Sequence, residues 1–273
     1  MRIALVPHVG REHSMGLAGE LAAEARGHDV DVVASPDAAD ALDLPATRFE
    51  RRSELDLVVA IGGDGTVLKA VRIGRASGAP IFGINDGRLG FLAEGAPHDL
   101  PFLLERLTSG RWFTTERMLL AASVGGSSPV LGLNDVVIEK VQNQRTVQLA
   151  VAIDGEPFVT YRADGVVIAT PTGSTAYNLS AGGPLIDPAL DALVMTPVAQ
   201  HSLFSRAMVF PPGRRLSFEV VEDRSVGVGV DGIEIATVQP GGVVEVEGAG
   251  RVSFVSLIER SFPTTVKQKF SLA

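Results

Sequence analysis

The sequence predicts an N-terminal α/β domain, a parallel sheet with flanking helices, followed by a β-rich C-terminal domain. Three observations carry that assignment. Up to about residue 110, short β-branched runs alternate with helical spacing, the rhythm of strand–helix–strand units. Beyond about residue 117 the helical spacing fades, and strand alternation with turn dipeptides takes over. The length of 273 residues suits two domains at ~150 residues each. The expected division is an α/β domain over 1–117, a β-rich domain over 118–260 and a basic tail over 261–273 that can return to the N-terminal domain.

The elements follow in order. Ile3 to Val6 is the first candidate strand, and Ser14 is placed to cap a helix carrying Leu17, Leu21 and Ala25 on one face and ending at Gly27. Val30 to Ala34 returns as a strand. Leu55 to Ile61 is nearly all apolar, which suits a central strand covered on both faces, and Ile81 to Ile84 reads the same way. Val67, Leu68 and Val71 mark a helix ending near Gly78; Leu100, Leu103, Leu104 and Leu107 mark another ending near Gly110. In the second half, Thr146 to Asp154, Ser217 to Val221, Val226 to Val230, Ile233 to Val238 and Val243 to Val246 alternate as strands, with a hairpin signal at Asp154-Gly155. Thr172 to Gly183 breaks the pattern as a polar loop running into a short helix after the apolar strand Val166 to Ala169.

Composition narrows the chemistry. With 24 Lys+Arg against 32 Asp+Glu the net charge is −8, which argues against sequence-blind binding to nucleic acid or to acidic membranes. There is no cysteine, so disulfides, thiolate metal sites and Cys nucleophiles are excluded. Met1 to Pro7 is too short an apolar stretch to read as a signal peptide, no run of ~18 apolar residues occurs, and a cytoplasmic protein is the default expectation. The histidines His8, His13, His28, His98 and His201 show no metal-ligand spacing, so no metal-binding side chain is assigned.

Gly62-Gly63-Asp64-Gly65-Thr66 stands directly after the strand ending at Ile61. Its glycines let backbone fold tightly against a ligand, and the helix beyond Thr66 aims the positive end of its dipole at phosphate. An acid among phosphates makes sense if it binds a metal or accepts the proton of the attacking hydroxyl. A second stretch, Asp164 to Pro184, reads Asp-Gly-Val-Val-Ile-Ala-Thr-Pro-Thr-Gly-Ser-Thr-Ala-Tyr-Asn-Leu-Ser-Ala-Gly-Gly-Pro. Its hydroxyls and small residues suit a ribose or an amide. Asn134-Asp135 places an amide and a carboxylate at a strand's entrance. By letter, Gly227-x-Gly229-x-x-Gly232 matches a dinucleotide fingerprint, but it lies where two strands join at Asp231-Gly232 and reads as a hairpin. A Walker A loop is excluded, because Lys69, Lys140, Lys267 and Lys269 are followed by Ala70, Val141, Gln268 and Phe270 rather than Ser or Thr.

Taken in order, Gly62 to Thr66, Gly83-Ile84-Asn85 with Leu89-Gly90-Phe91-Leu92, Asn134-Asp135, and the Asp164 to Pro184 stretch resemble the bacterial NAD kinases over most of the chain. The resemblance implies that Asp64 is the catalytic acceptor for the 2′-hydroxyl of the adenosine ribose of NAD. It places Gly65 and Phe91 against the dinucleotide, and Asn134 with Asp135 at the adenine-ribose end; the loop residues Gly63 and Thr66 face the phosphates, and Lys69, Arg72 or Arg88 is left to counter the triphosphate charge. Asp164 matches an acid used near the nicotinamide end or by the subunit partner, Thr175, Ala176, Tyr177, Asn178, Leu179 and Ser180 match the loop around the second nucleotide half, with Thr172 just before it, and Arg145, Arg162 and Ala199 fall at further binding positions. Also implied are ATP as phosphoryl donor, Mg²⁺ as cofactor, and a homodimer or homotetramer. Asp86, Arg88, Gln200, Ala207 and Ile233 depart from residues usual in relatives. Two other functions share some of these features. A lipid or sugar kinase can carry the same glycine loop, and a dinucleotide sensor can keep the binding loop without the chemistry.

Overall fold

The computed structural model describes residues 1–47, 54–87, 90–93, 100–141, 145–200, 205–221, 224–258 and 261–272. The chain forms two compact units, Met1–Glu116 with Val252–Ala273, and Arg117–Arg251. It leaves the first unit and comes back to it, and the return falls inside a long C-terminal strand rather than at residue 260.

In the first unit, β1 (Arg2–Pro7), α1 (Glu12–Arg26), β2 (Asp31–Ala34), α2 (Ala39–Leu42), β3 (Leu57–Ile61), α3 (Asp64–Ser77), β4 (Ile81–Ile84) and α4 (Leu100–Thr108) succeed one another. The strands lie in the order β2-β1-β3-β4, all parallel. Every residue of β3 and β4 is buried, as a strand covered by helices on both faces requires. Leu17 and Leu21 of α1 and Leu103, Leu104 and Leu107 of α4 pack with Ile3, Leu5, Leu57, Val59 and Phe82. Each such side chain contributes about 1.5–3 kcal/mol of transfer free energy.

Local chemistry sets the helix ends, once against expectation. Ser14 does not cap α1. The N-cap is Arg11, three residues earlier, and the Ser14 hydroxyl, fully buried, donates to Asp86 instead. Gly78 ends α3 at φ 79°, a left-handed conformation that favours glycine.

After β1 the chain runs outward to β2, then crosses back to β3 on the other side of β1. The carboxyl ends of β1 and β3 therefore lie side by side at a topological switch point, where open α/β sheets form a ligand crevice. The loops beyond both strands meet there, with the His8 amide donating to the Ile61 carbonyl at 2.9 Å.

The second unit contains β6 (Val130–Gly132), β7 (Asp135–Lys140), β8 (Val147–Ile153), β9 (Glu156–Ala163), β10 (Gly165–Ala169), a 3₁₀ turn at Thr172–Thr175, α5 (Tyr177–Ser180), β11 (Leu193–Val198), β12 (Met208–Phe210), β13 (Leu216–Val220), β14 (Val226–Val230) and β15 (Ile233–Val238). The strands β5 (Phe113–Val124) and β16 (Val243–Ser256) carry the chain out of the first unit and back. An antiparallel sheet runs β12-β11-β10-β7-β14-β15, and β16, β13, β8 and β9 form a second antiparallel set. Their inner faces share one core that includes Ile138, Leu149, Tyr161, Ile168, Met195, Phe218 and Val244. Asp154-Gly155 and Asp231-Gly232 both have φ > 0 and turn β8 into β9 and β14 into β15. The apparent dinucleotide fingerprint at Gly227 to Gly232 is thus a strand and a hairpin turn. Past β16, Ser261 caps α6 (Phe262–Lys269), accepting a hydrogen bond from the Thr264 amide. Among the described residues no helix is long and apolar enough to cross a membrane.

Candidate functional site

Gly63 is the N-cap of α3, and Asp64 is the first residue of the helix. That puts a carboxylate at the positive end of the helix dipole. The loop after β4 then fixes it: the Phe91 amide donates to Oδ2 and the Leu92 amide to Oδ1, each at 3.1 Å. Gly90 permits this approach, since a Cβ there would lie 2.1 Å from Oδ1 of Asp64. Two cavities flank the glycine turn. One, of about 750 Å³, is lined by Arg11, Gly63, Asp64, Asp86, Gly87, Gly90 and Lys269. The other, of about 360 Å³, takes in His8, Arg11, Asp37, Gly63, Gly65, Thr66 and Lys69.

The charges around these cavities are held in pairs. Arg11 Nη1 donates to both carboxylate oxygens of Asp86 at 2.8 and 2.7 Å, and Ser14 Oγ adds a third bond at 2.8 Å. Burial pushes the Asp86 carboxyl up, but Arg11 and Ser14 outweigh it and hold the group below the usual carboxylate range. Lys69 pairs with Asp37, which Ser35 also supports. There too the bonds outweigh burial and lower the pKa.

In the second unit the Asn134-Asp135 segment is clamped from below. Asp231, in the hairpin turn after β14, accepts the amides of Leu133 at 2.8 Å, Asn134 at 2.7 Å and Asp135 at 3.2 Å. From the other side, the Asn134 carbonyl accepts the Thr170 amide at 2.9 Å. Gly173 packs so closely on that carbonyl that a Cβ would stand 1.9 Å from it. Asp135 is buried, and its carboxyl is pushed up to about 6, first by burial and then by Asp231, against a hydrogen bond from the Tyr177 amide. Tyr177 itself is partly exposed. Burial raises its phenol, and the carboxylates of Glu139, Asp164 and Asp135 raise it further.

Most of the residues expected to bind nucleotide gather at two places. Gly63, Asp64, Gly65, Thr66 and Lys69 gather around the glycine turn with the Phe91 backbone, while Asn134, Asp135, Thr172, Thr175, Ala176 and Tyr177 gather around the clamped loop of the second unit. Asn178 is scaffold rather than contact: fully buried, its amide donates to the Ser174 and Pro184 carbonyls and accepts from Thr196 Oγ1. Leu179 is half-buried beside it, and Ser180 is exposed. Asp164 pairs with Lys140 at 2.7 Å. Arg145 and Arg162 are exposed at the β8–β9 pair, Arg162 Nε reaching Thr146 Oγ1 at 3.4 Å, and Ala199 is exposed with a left-handed φ of 47°. Arg88, Leu89, His98 and His201 lie outside the described residues.

Sequence reasoning did not assign His8, Arg11, Asp37, Asp86, Asp231 or Lys269. For His8 and Arg11 a signal existed, since they follow the first strand and parallel sheets bind ligands beyond strand ends. Nothing local marks the others.

A phosphate-type glycine turn beyond a buried parallel strand, with a fixed carboxylate at the following helix start, has the parts that a small-molecule kinase needs. The chain belongs to the NAD kinase family, whose reaction is the phosphorylation of NAD to NADP. The ATP-NAD kinase N-terminal domain matches residues 12–112 and the ATP-NAD kinase C-terminal domain residues 133–257. An NAD kinase of Symbiobacterium thermophilum is 38% identical over 238 residues, covering 84% of this chain and 83% of the relative. Another from Chloroherpeton thalassium is 36% identical, covering 99% and 97%. Among solved structures, a yeast NADH kinase complexed with NADH superposes at a TM-score of 0.90 and 24% identity, covering 100% of this chain and 88% of that one. An Archaeoglobus fulgidus NAD kinase in complex with ATP gives 0.77 at 24% identity, with full coverage of both chains.

Proposed function

We propose that this kinase transfers the γ-phosphoryl group of ATP to the 2′-hydroxyl of the adenosine ribose of NAD, with Asp64 as the proton acceptor. The hydroxyl oxygen bonds to the γ-phosphorus as the bond from phosphorus to the β,γ-bridging oxygen breaks. The hydroxyl proton passes to the Asp64 carboxylate, and ADP leaves with the bond's electron pair. The carrying observation is the two-amide clamp from Phe91 and Leu92, which fixes both Asp64 oxygens in a cavity of about 750 Å³. The transition state of phosphoryl transfer is loose, so alignment and charge neutralisation supply most of the acceleration and the base a smaller share.

Gly63, Gly65 and Thr66 present the start of α3 to the donor phosphates, with Lys69 at the neighbouring cavity. For the acceptor, Asn134 and Asp135 are assigned to the adenosine, and Thr172, Thr175, Ala176 and Tyr177 to the other half. Asp164, Leu179, Ser180, Arg145, Arg162 and Ala199 complete that surface, and Asn178 supports it from within. Mg²⁺ carried in on the donor phosphates fits this site, because such a cation keeps several waters and takes most of its other ligands from phosphate oxygens, so that it asks few carboxylates of the protein. When bound, it supplies positive charge against the triphosphate. The enzyme works in the cytoplasm as a homodimer or homotetramer.

The test is an assay of purified protein with ATP, Mg²⁺ and NAD, coupled to an NADP-specific dehydrogenase. Wild type forms NADP. Asp64→Asn lowers kcat by about 10²- to 10⁴-fold and leaves NAD affinity within about threefold. Turnover near wild type in that variant removes Asp64 from the role.

A further inference from the structure

Which cation meets the transferred group is decided by the fold, in a place the sequence does not mark. The phosphoryl group must pass beside the hydroxyl that Asp64 deprotonates, so a cation lining the Asp64 cavity lies next to it. Lys69 is engaged by Asp37 and faces the smaller cavity. Arg11 lines the Asp64 cavity, its guanidinium bonded to the Asp86 carboxylate, whose side chain is only 6% exposed. Lys269 also lines it, carried there on the last residue of α6. Its ammonium lies 5.5 Å from the centroid of the Phe91 ring, the residue whose amide holds Asp64 Oδ2. The next residue, Phe270, packs its own ring against Phe91 at 6.1 Å between centroids. The C-terminal helix is thus anchored to the segment that positions the base, and its last turn delivers a positive charge to the same cavity.

We infer that Lys269 is a further catalytic residue, its ammonium binding the terminal phosphate of the donor and neutralising the charge that spreads over it during transfer. This rests on the kinase reading above. A preorganised cation of this kind acts in the transition state more than in the ground state, so its loss falls on turnover of the donor rather than on binding of the acceptor. Asp86 keeps Arg11 in a fixed place beside it, so that the donor meets a tethered guanidinium on one side and an ammonium on a short helix on the other.

The experiment compares Lys269→Ala, Lys269→Gln and Lys269→Arg in the full-length protein. Expected for Ala and Gln is a fall in kcat/KM for ATP of about 10²-fold, with NAD affinity, titrated without ATP, within about twofold of wild type. Arg keeps the charge and restores kcat/KM to within about fivefold. The inference is overturned if Ala and Gln stay within about threefold of wild type. It is equally overturned if Arg is as damaging as Ala, or if NAD affinity falls as far as kcat/KM, since either result makes Lys269 a support for the Phe91 segment. Should wild type form no NADP, the kinase reading fails separately. Calorimetric titration of MgATP then decides Lys269 alone: binding about tenfold weaker in Lys269→Ala keeps the phosphate contact, and equal binding removes it.

Discussion

Asp135 has its carboxyl buried beside another carboxylate, that of Asp231, and its pKa of about 6 stands above the ordinary value of 3.8. The sign of the stability effect follows. Below 3.8 Asp135 is protonated both folded and unfolded and costs nothing; between 3.8 and about 6 only the unfolded chain ionises, so the cost grows as pH rises; above 6 it is complete. Asp135→Asn, which retains an oxygen for the Tyr177 amide, should therefore stabilise the protein by about 1–3 kcal/mol near neutral pH and by almost nothing near pH 4. Urea denaturation at the two pH values checks this, and an equal gain at both would show that ionisation of Asp135 is not the cause. At this scale the sequence displayed Asn134-Asp135 but not its supports. Asp231 is distant in the chain, and only the hairpin brings its oxygens to three consecutive amides.

Elements convert these residues into geometry. Strand β3, the glycine turn and helix α3 were legible because each has a local cause: an all-apolar run, residues without Cβ, and a helical stripe stopped by Gly78. What aligns Asp64 was not legible, since the loop after β4 supplies it through backbone amides that carry no side-chain signature. Gly90 is the sensitive point. With a Cβ 2.1 Å from Asp64 Oδ1, Gly90→Ala should shift the carboxylate and lower kcat by about 10²-fold. Helix content by circular dichroism should be unchanged, because the N-cap of α3 at Gly63 is not altered. Wild-type kcat in this variant would mean that Asp64 needs no such clamp. Ser14 shows the converse failure. It fitted the pattern of a helix cap, yet its hydroxyl found a better partner in Asp86, far away in sequence.

For the whole molecule, the proposed homodimer or homotetramer predicts sedimentation well above the 28.6 kDa of one chain, at micromolar concentration and moderate salt. A monomer under those conditions that still turns over at full rate would show that each chain carries a complete site. By itself the sequence determined the main strand–helix alternation of the first unit, the hairpins at Asp154 and Asp231, and the glycine turn with its acid, all written in periodicity and in residues whose backbone preferences act over a few positions; the family showed through the likeness of whole motifs, and α2, β5, β6, β11, β12 and α6 were not marked. Only the tertiary structure decided that the return to the first unit begins at Val252 inside β16, the pairing of Arg11 with Asp86, the clamp of Asp231 beneath Asn134 and the arrival of Lys269 at the Asp64 cavity. Those contacts join residues far apart in the chain, and their free energy comes from burial and charge pairing that exist only once the sheets have formed.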